Sequence, residues 1–210
     1  MSVRRKLGLG VACLALASLV AWGASDRAPR ETEKLAQILD WNPGRDIGEV
    51  GAGHGDMAVE AARRVGPAGH VFATEIDPKR LAAIRKRTTD RRLTNLTVIE
   101  SGLADCRLPV NCCDAVFMRN VYHHFTSPAE MDTSLKRALR PQGLLAIADF
   151  PPIRLLTFFF PVKGVPQNRG GHGIPLTVLI EELTAAGFQH VDTVKDWPGF
   201  GYCALFQKPR

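Results

Sequence analysis

A chain of 210 residues has room for one ordinary domain and little else. Apolar residues at 45%, charged residues at 23%, and 10 Phe, 3 Trp and 2 Tyr describe a chain able to bury a core, which excludes wholesale disorder, collagen and low-complexity repeats. The formal net charge is +6, but Arg4, Arg5 and Lys6 stand ahead of an apolar leader; without those three the remainder carries only +3, too little to argue for a nucleic-acid partner.

The chain opens on these three basic residues, and Leu7 to Ser25 then runs 19 residues without a charge. Residues 1–25 are therefore expected to direct the chain to a membrane, as a cleaved signal peptide or a retained anchor. Ala21-Trp22-Gly23 offers a small-x-small cleavage site, and a start codon placed too early is the third reading. The expected address is membrane-associated or exported, or the cytoplasm if the start is misplaced. Residues 26–210 form the single domain.

Beyond Asp26 the apolar periods alternate between helix and strand. A helix near Glu31–Leu39 is ended by Pro43-Gly44. Strand Asp46–Val50, helix Gly55–Val65, strand His70–Glu75, helix Pro78–Thr88 and strand Leu96–Glu100 follow. Next come strand Asp114–Arg119, helix Pro128–Leu139, strand Gly143–Asp149, helix Pro175–Ala186, and strands Phe188–Val194 and Tyr202–Gln207. Seven strands spaced mostly by helix-length segments predict an α/β, Rossmann-like, doubly wound and mostly parallel sheet with helices on both faces. Such sheets bind ligands at the carboxyl edge, where strand order reverses.

Of the five cysteines, Cys13 lies in the leader, and Cys106, Cys112, Cys113 and Cys203 contain no CxxC pair. Side chains of the adjacent pair Cys112-Cys113 are expected to diverge. No metal site is expected, and the thiols read as buried and free, with oxidation in an export compartment able to join some of them in a pairing that the sequence does not specify.

The stretch DIGEVGAGHGDM follows the first strand and opens the second helix, with Gly51, Gly53 and Gly55 after Glu49. Glycines there permit positive φ and close approach of a ligand, while a helix amino terminus can donate N–H bonds. A dinucleotide fingerprint requires glycine three residues after Gly53, where this chain has Asp56. A nicotinamide-dependent oxidoreductase is thereby disfavoured.

The pattern Glu49-Val50-Gly51-Ala52-Gly53-His54-Gly55 resembles the first motif of the class I S-adenosylmethionine-dependent methyltransferases, acid-x-Gly-x-Gly-x-Gly, and the resemblance covers most of Leu35–Lys208. In VFATEIDP, Glu75 lies 20 residues beyond Gly55, a spacing that suits a carboxylate receiving ribose hydroxyls. The resemblance puts Ile76 against the adenine and Asp77 at the cap of the next helix. CCDAVFMRNVYHHF resembles the fourth strand and its loop, LRPQGLLAIADF the fifth strand, and the AAGF turn the carboxyl-terminal end. The last strand is then antiparallel and runs between its neighbours. The family's acid just past strand three is replaced by Gly102, which leaves Asp105 as its substitute.

The resemblance implies S-adenosyl-L-methionine as cofactor, held by Glu49, Gly51, Ala52, Gly53, Gly55, Glu75, Ile76, Asp105 and Asn120. It places Asn120, Tyr122, His123 and His124 beside the transferable methyl as candidate catalytic residues, with a histidine as base if the acceptor carries a proton. The segment PPIRLLTFFFPVKGVPQNRGGHGIP is expected to cover a small-molecule acceptor, with Leu155, Leu156, Phe158, Phe159 and Phe160 favouring an apolar one or touching a bilayer; a short buried helix is the competing reading. The functional alternative is a non-catalytic, envelope-associated binding protein that keeps the fold. No oligomeric state is implied.

Overall fold

Alternate residues of a strand face opposite sides of a sheet, and the apolar residues of this chain are placed so that both sides are covered. The structure is a computed structural model and describes residues 28–153, 159 and 163–210. In chain order the elements are α1 (residues 28–38), β1 (Asp46–Val50), α2 (Asp56–Val65), β2 (His70–Glu75), α3 (Pro78–Asp90), β3 (Leu96–Glu100) and β4 (Cys113–Arg119). They continue with a 3-10 turn at Tyr122–His124, α4 (Pro128–Ala138), β5 (Leu139–Asp149), a second 3-10 turn at Gln167–Arg169, α5 (Leu176–Ala185), β6 (Gln189–Thr193) and β7 (Tyr202–Gln207).

The seven strands form one sheet in the order β3-β2-β1-β4-β5-β7-β6. β1 to β5 pair in parallel, while β7 lies between β5 and β6 and is antiparallel to both, as the family resemblance implied. From β1 the chain passes to β2 on one side and later returns to β4 on the other. That reversal opens a crevice at the carboxyl ends of β1 and β4.

On one face Leu35, Leu39 and Trp41 join α2 residues such as Ala58 and Ala61 over Ile47, Val71 and Phe117. On the other, Met131 and Leu135 of α4 and Leu179 and Leu183 of α5 cover Val116, Met118, Ile147 and Phe206. β4 shows the alternation within one strand, with Ala115 and Phe117 on the first face and Val116 and Met118 on the second.

Most expected elements stand within two residues of their observed ends. The helix expected from Gly55 begins at Asp56 because Gly55 is its cap, at φ 78°. The strand expected from Gly143 begins at Leu139. Register there jumps from Cys113↔Leu139 to Ala115↔Leu144, so residues 140–143 make an excursion that hides the start of the pairing from a period-2 reading.

The leader, residues 1–25, lies outside the described residues, as do Leu155, Leu156, Phe158 and Phe160 of the expected acceptor cover. Phe159 is described, and is 63% exposed. No helix among the described residues is long and apolar enough to cross a membrane.

Phe117 is fully buried, and its ring stands 5.1 Å from that of Trp41. Truncation to Ala removes packing on the central strand and leaves a cavity. Phe117→Ala is expected to lower the unfolding free energy by about 3–5 kcal/mol, read from urea denaturation midpoints; a loss under about 1 kcal/mol would contradict this account of the core.

Candidate functional site

The loop after β1 is pinned to β2 by its own backbone. Gly51 N and Ala52 N each donate to Thr74 O at 2.9 Å, and Gly53 N donates to Glu75 Oε2 at 2.8 Å. Gly51 has φ 73°, and a Cβ there would stand 2.5 Å from Val121 Cγ2. Gly53 has φ 58° with nothing within 4 Å of its would-be Cβ, so the loop is open where a ligand would approach.

The buried Glu75 carboxylate also accepts Ile76 N (2.8 Å) and Asp77 N (3.1 Å) on Oε1, and Arg80 Nη1 stands 3.9 Å from Oε2. Three of its roughly four lone-pair positions are thus taken, and the remaining one is on Oε2. Asp77 caps α3, accepting Lys79 N and Arg80 N, and those amides hold its carboxyl below the usual range. The cap is the place that the resemblance implied for Asp77.

Gly51, Glu75, Ile76, Gly102, Asn120 and His124 line one cleft of about 450 Å³ at the carboxyl edge. Its floor is backbone and carboxylate, and its rim is apolar at Ile76, which is 48% exposed. Asn120 holds φ 55° and ties its N–H to Ala148 O at 2.8 Å, which turns the chain out of β4 into the cleft wall. Ala52 and Gly55 are buried in the loop, close to these residues but not among those lining the cleft.

Glu49 is buried one residue before the end of β1, and its Oε2 has no hydrogen-bond partner. Burial pushes its carboxyl up to about 8, opposed chiefly by the Arg119 guanidinium. Arg119 is itself engaged by the buried Glu31 of α1, Nη1 to Oε2 at 2.8 Å. A buried acid with an unpaired oxygen beside an open glycine loop fits a cationic ligand group better than an anionic one.

The loop after β4 divides the four residues expected there. His124 reaches the cleft; partial burial, with His123 and His172 beside it, pushes its imidazole down to about 4, so it is neutral at physiological pH. His123 is buried beside it, with Nδ1 2.8 Å from Asp149 Oδ1 and its backbone N–H donating to Oδ2 at 3.2 Å. Tyr122 does not take the expected catalytic position. Its fully buried hydroxyl lies 2.9 Å from Asp132 Oδ2 and 3.0 Å from Glu182 Oε2, and burial raises its pKa. It is a core group.

Asp105 also departs from expectation. Arg107 N and a two-oxygen contact from Arg137 Nη2 occupy its carboxylate, and it borders a separate depression against α4 rather than the cleft. Gly102, left without a carboxylate, sits in the cleft wall itself. Residues that sequence reasoning missed include Asp149, whose only signal was an acid ending a strand, and Arg169. Arg169 is fully buried, donating to Tyr122 O and to Glu182 Oε2, the latter at 2.6 Å, with its guanidinium 4.8 Å from the Tyr122 ring centroid. An arginine in a Gly- and Pro-rich stretch reads as solvent-exposed until the fold is known.

The folded-state pKa of Glu49 stands above its unfolded value of 4.5, so its contribution is fully present below about pH 4.5 and is lost as pH rises through about 8. Glu49→Gln is therefore expected to gain stability relative to wild type at pH 8.5 but not at pH 5 (a comparison on the order of these pH values, with ligand absent), measured by urea denaturation. Equal differences at both pH values would show that Glu49 is not held protonated.

A family model described as a methyltransferase domain matches residues 48–147. The ubiquinone/menaquinone biosynthesis C-methyltransferase UbiE of Pseudomonas putida (strain GB-1) is 30% identical over 108 residues, 51% of this chain and 42% of that protein. Nocamycin O-methyltransferase of Saccharothrix syringae is 29% identical over 114 residues, 54% of this chain and 41% of its own length. The chain therefore matches less than half of the length of either relative. Among solved structures, a SAM-dependent methyltransferase from Aquifex aeolicus superposes with a TM-score of 0.67 at 24% identity, covering 84% of this chain and 87% of that one.

Proposed function

We propose that the chain, which matches a methyltransferase-domain model over residues 48–147, is a class I S-adenosylmethionine-dependent methyltransferase and transfers a methyl group from S-adenosylmethionine to a small, largely apolar acceptor. The observation that carries this reading is the junction of Gly53 and Glu75, a glycine loop open to a ligand and held by a carboxylate with one acceptor position left at the cleft. When bound, the cofactor supplies a methyl on a sulfonium centre, whose departure leaves a neutral thioether.

The chain's own residues have three tasks. Glu75 Oε2 receives a ribose hydroxyl, and a second hydroxyl is received if the Gly53 amide gives way. Ile76 offers an apolar face at the rim, and Asn120 shapes the wall through its backbone. Glu49 takes the charge of the cofactor's cationic end, where its unpaired oxygen is otherwise costly.

At the acceptor, alignment supplies most of the rate, on the order of 7–11 kcal/mol for well-oriented groups. His124 presents a neutral ring at the cleft, and Asp149 holds the His123 ring through Nδ1, leaving Nε2 to accept a proton if the acceptor carries one. The apolar preference is supported by the ring contacts beyond His123: Phe150 stands 4.9 Å from it and Phe200, 56% exposed, 5.6 Å from Phe150. Relatives named for quinone and nocamycin methylation also act on small molecules.

Calorimetric titration with S-adenosylmethionine and with NAD tests the reading directly. Binding of the first and not the second is expected, and Glu75→Ala should weaken it by about 1.5–3 kcal/mol, the scale of hydrogen bonds to a charged group. Unchanged affinity in a folded Glu75→Ala protein would sink the assignment.

His123→Ala and His124→Ala should each lower turnover with little loss of cofactor affinity, followed as S-adenosylhomocysteine release over a panel of quinone and phenol acceptors. Full turnover in both variants would remove these rings from the mechanism.

A further inference from the structure

At the amino-terminal edge of the sheet, opposite the cofactor cleft, two thiols converge. Cys112 lies in the turn before β4, directly after Asn111 at φ 49°, and Cys113 is the first residue of that strand. Because Cys112 stands outside the strand, the alternation that would separate neighbouring side chains does not apply to it. The expected divergence is not observed: the two Sγ atoms are 2.7 Å apart, against about 2.05 Å in a disulfide. Both are free thiols in this structure.

Access is unequal. Cys113 is fully buried, with its Sγ packed against Gly48, where a Cβ would lie 3.2 Å away. Cys112 is half-buried, within electrostatic reach of the Arg140 and Asp46 charges. The contact from Cys113, reinforced by Arg140, holds the Cys112 thiol below its usual value. Cys106 and Cys203 are both buried, and Cys106 is engaged by the Ser134 hydroxyl.

We infer that Cys112 and Cys113 form an oxidisable vicinal dithiol, a modification site that closes to a disulfide by exchange with a low-molecular-weight disulfide. The Cys112 thiolate attacks one sulfur of the oxidant, breaks its S–S bond and releases one thiolate. The Cys113 sulfur, kept protonated until then by the Cys112 contact and by burial, attacks the Cys112 sulfur as its proton passes to the departing second thiolate, so two thiols are released in all. The protein pair is oxidised by two electrons, and one oxidant disulfide is reduced to two thiols. A bridging soft metal is the less suitable occupant, since it needs access to both sulfurs and Cys113 is sealed. Neighbouring Cα atoms are about 3.8 Å apart, below the usual disulfide range of about 4.4–6.8 Å, so the closed form is strained and readily reduced.

The test incubates the full chain with oxidised glutathione, quenches with an alkylating agent under denaturing conditions and maps the peptides by mass spectrometry, which separates this pair from Cys13, Cys106 and Cys203. The expected product is a Cys112–Cys113 peptide lighter by two hydrogens, without alkyl groups, restored by dithiothreitol. Cys113→Ser should stop at a stable glutathione adduct on Cys112, and Cys112→Ser should leave Cys113 unreacted, with thermal melting confirming that each variant folds. If Cys113→Ser does not fold, the wild-type mass change alone decides. A stable glutathione adduct on wild-type Cys112, a Cys112-linked dimer, or a pair that stays fully alkylatable would each overturn the inference.

Discussion

Three consecutive amides of the β1 loop are taken by two consecutive residues of β2: Gly51 and Ala52 by the Thr74 carbonyl, Gly53 by the Glu75 carboxylate. This arrangement depends on the parallel register that sets Val50 opposite Thr74. It leaves no amide of that run unpaired and turns the loop back over the strand ends, which creates the cleft. The same carboxylate receives the first amides beyond β2, so Glu75 also sets the path into α3. One acid thus fixes two walls of the cleft.

Charge is distributed differently at the two ends of the strands. At the amino edge Asp46 and Asp114 share Arg140, at 2.6 and 2.7 Å, and Asp46 Oδ1 accepts His70 N, so the acids there are matched and serve to align β1, β2 and β4. At the carboxyl edge the balance is incomplete. Arg119 is committed to Glu31, and Glu49 keeps an oxygen without a partner. Unmatched buried polarity is costly to the fold, and burial meets that cost by pushing the Glu49 carboxyl up to about 8.

Behind the cleft wall, the turn that carries His123 and His124 is held from inside. Tyr122 anchors it between Asp132 of α4 and Glu182 of α5, and Arg169 closes the group by donating to both Glu182 and the Tyr122 carbonyl. Burial pushes Asp132 up to about 7, which provides a proton where one phenol faces two carboxylates. The network links the far-face helices to the histidines without any of its members reaching the cleft. Asp149 then fixes His123 from β5, so the ring positions derive from two strands and two helices rather than from the loop's own conformation.

The alternation of apolar residues and the glycine spacing determined by themselves that this would be an α/β sheet with a ligand loop after its first strand. Both are local signals: side-chain period reports which face is buried, and closely spaced glycines report backbone that must turn and be approached. Glu75 was legible as the end of its strand, whereas it was the family resemblance that put Asp77 at the cap before Pro78, where the structure finds it. What the loop after β4 would do was not legible. Asn120, Tyr122, His123 and His124 are four neighbours of similar polarity, and only the packing of α4, α5 and residues 167–169 decided that Tyr122 turns into the core while His124 turns to the cleft. Asp105 was misplaced by the same limit, since its partner Arg137 lies 32 residues away. The nearness of Cys112 to Cys113 likewise came from a turn and a break in register that no side-chain period records. Direction of a polar side chain is set by partners distant in the chain, and those partners exist only once the sheet and helices have assembled.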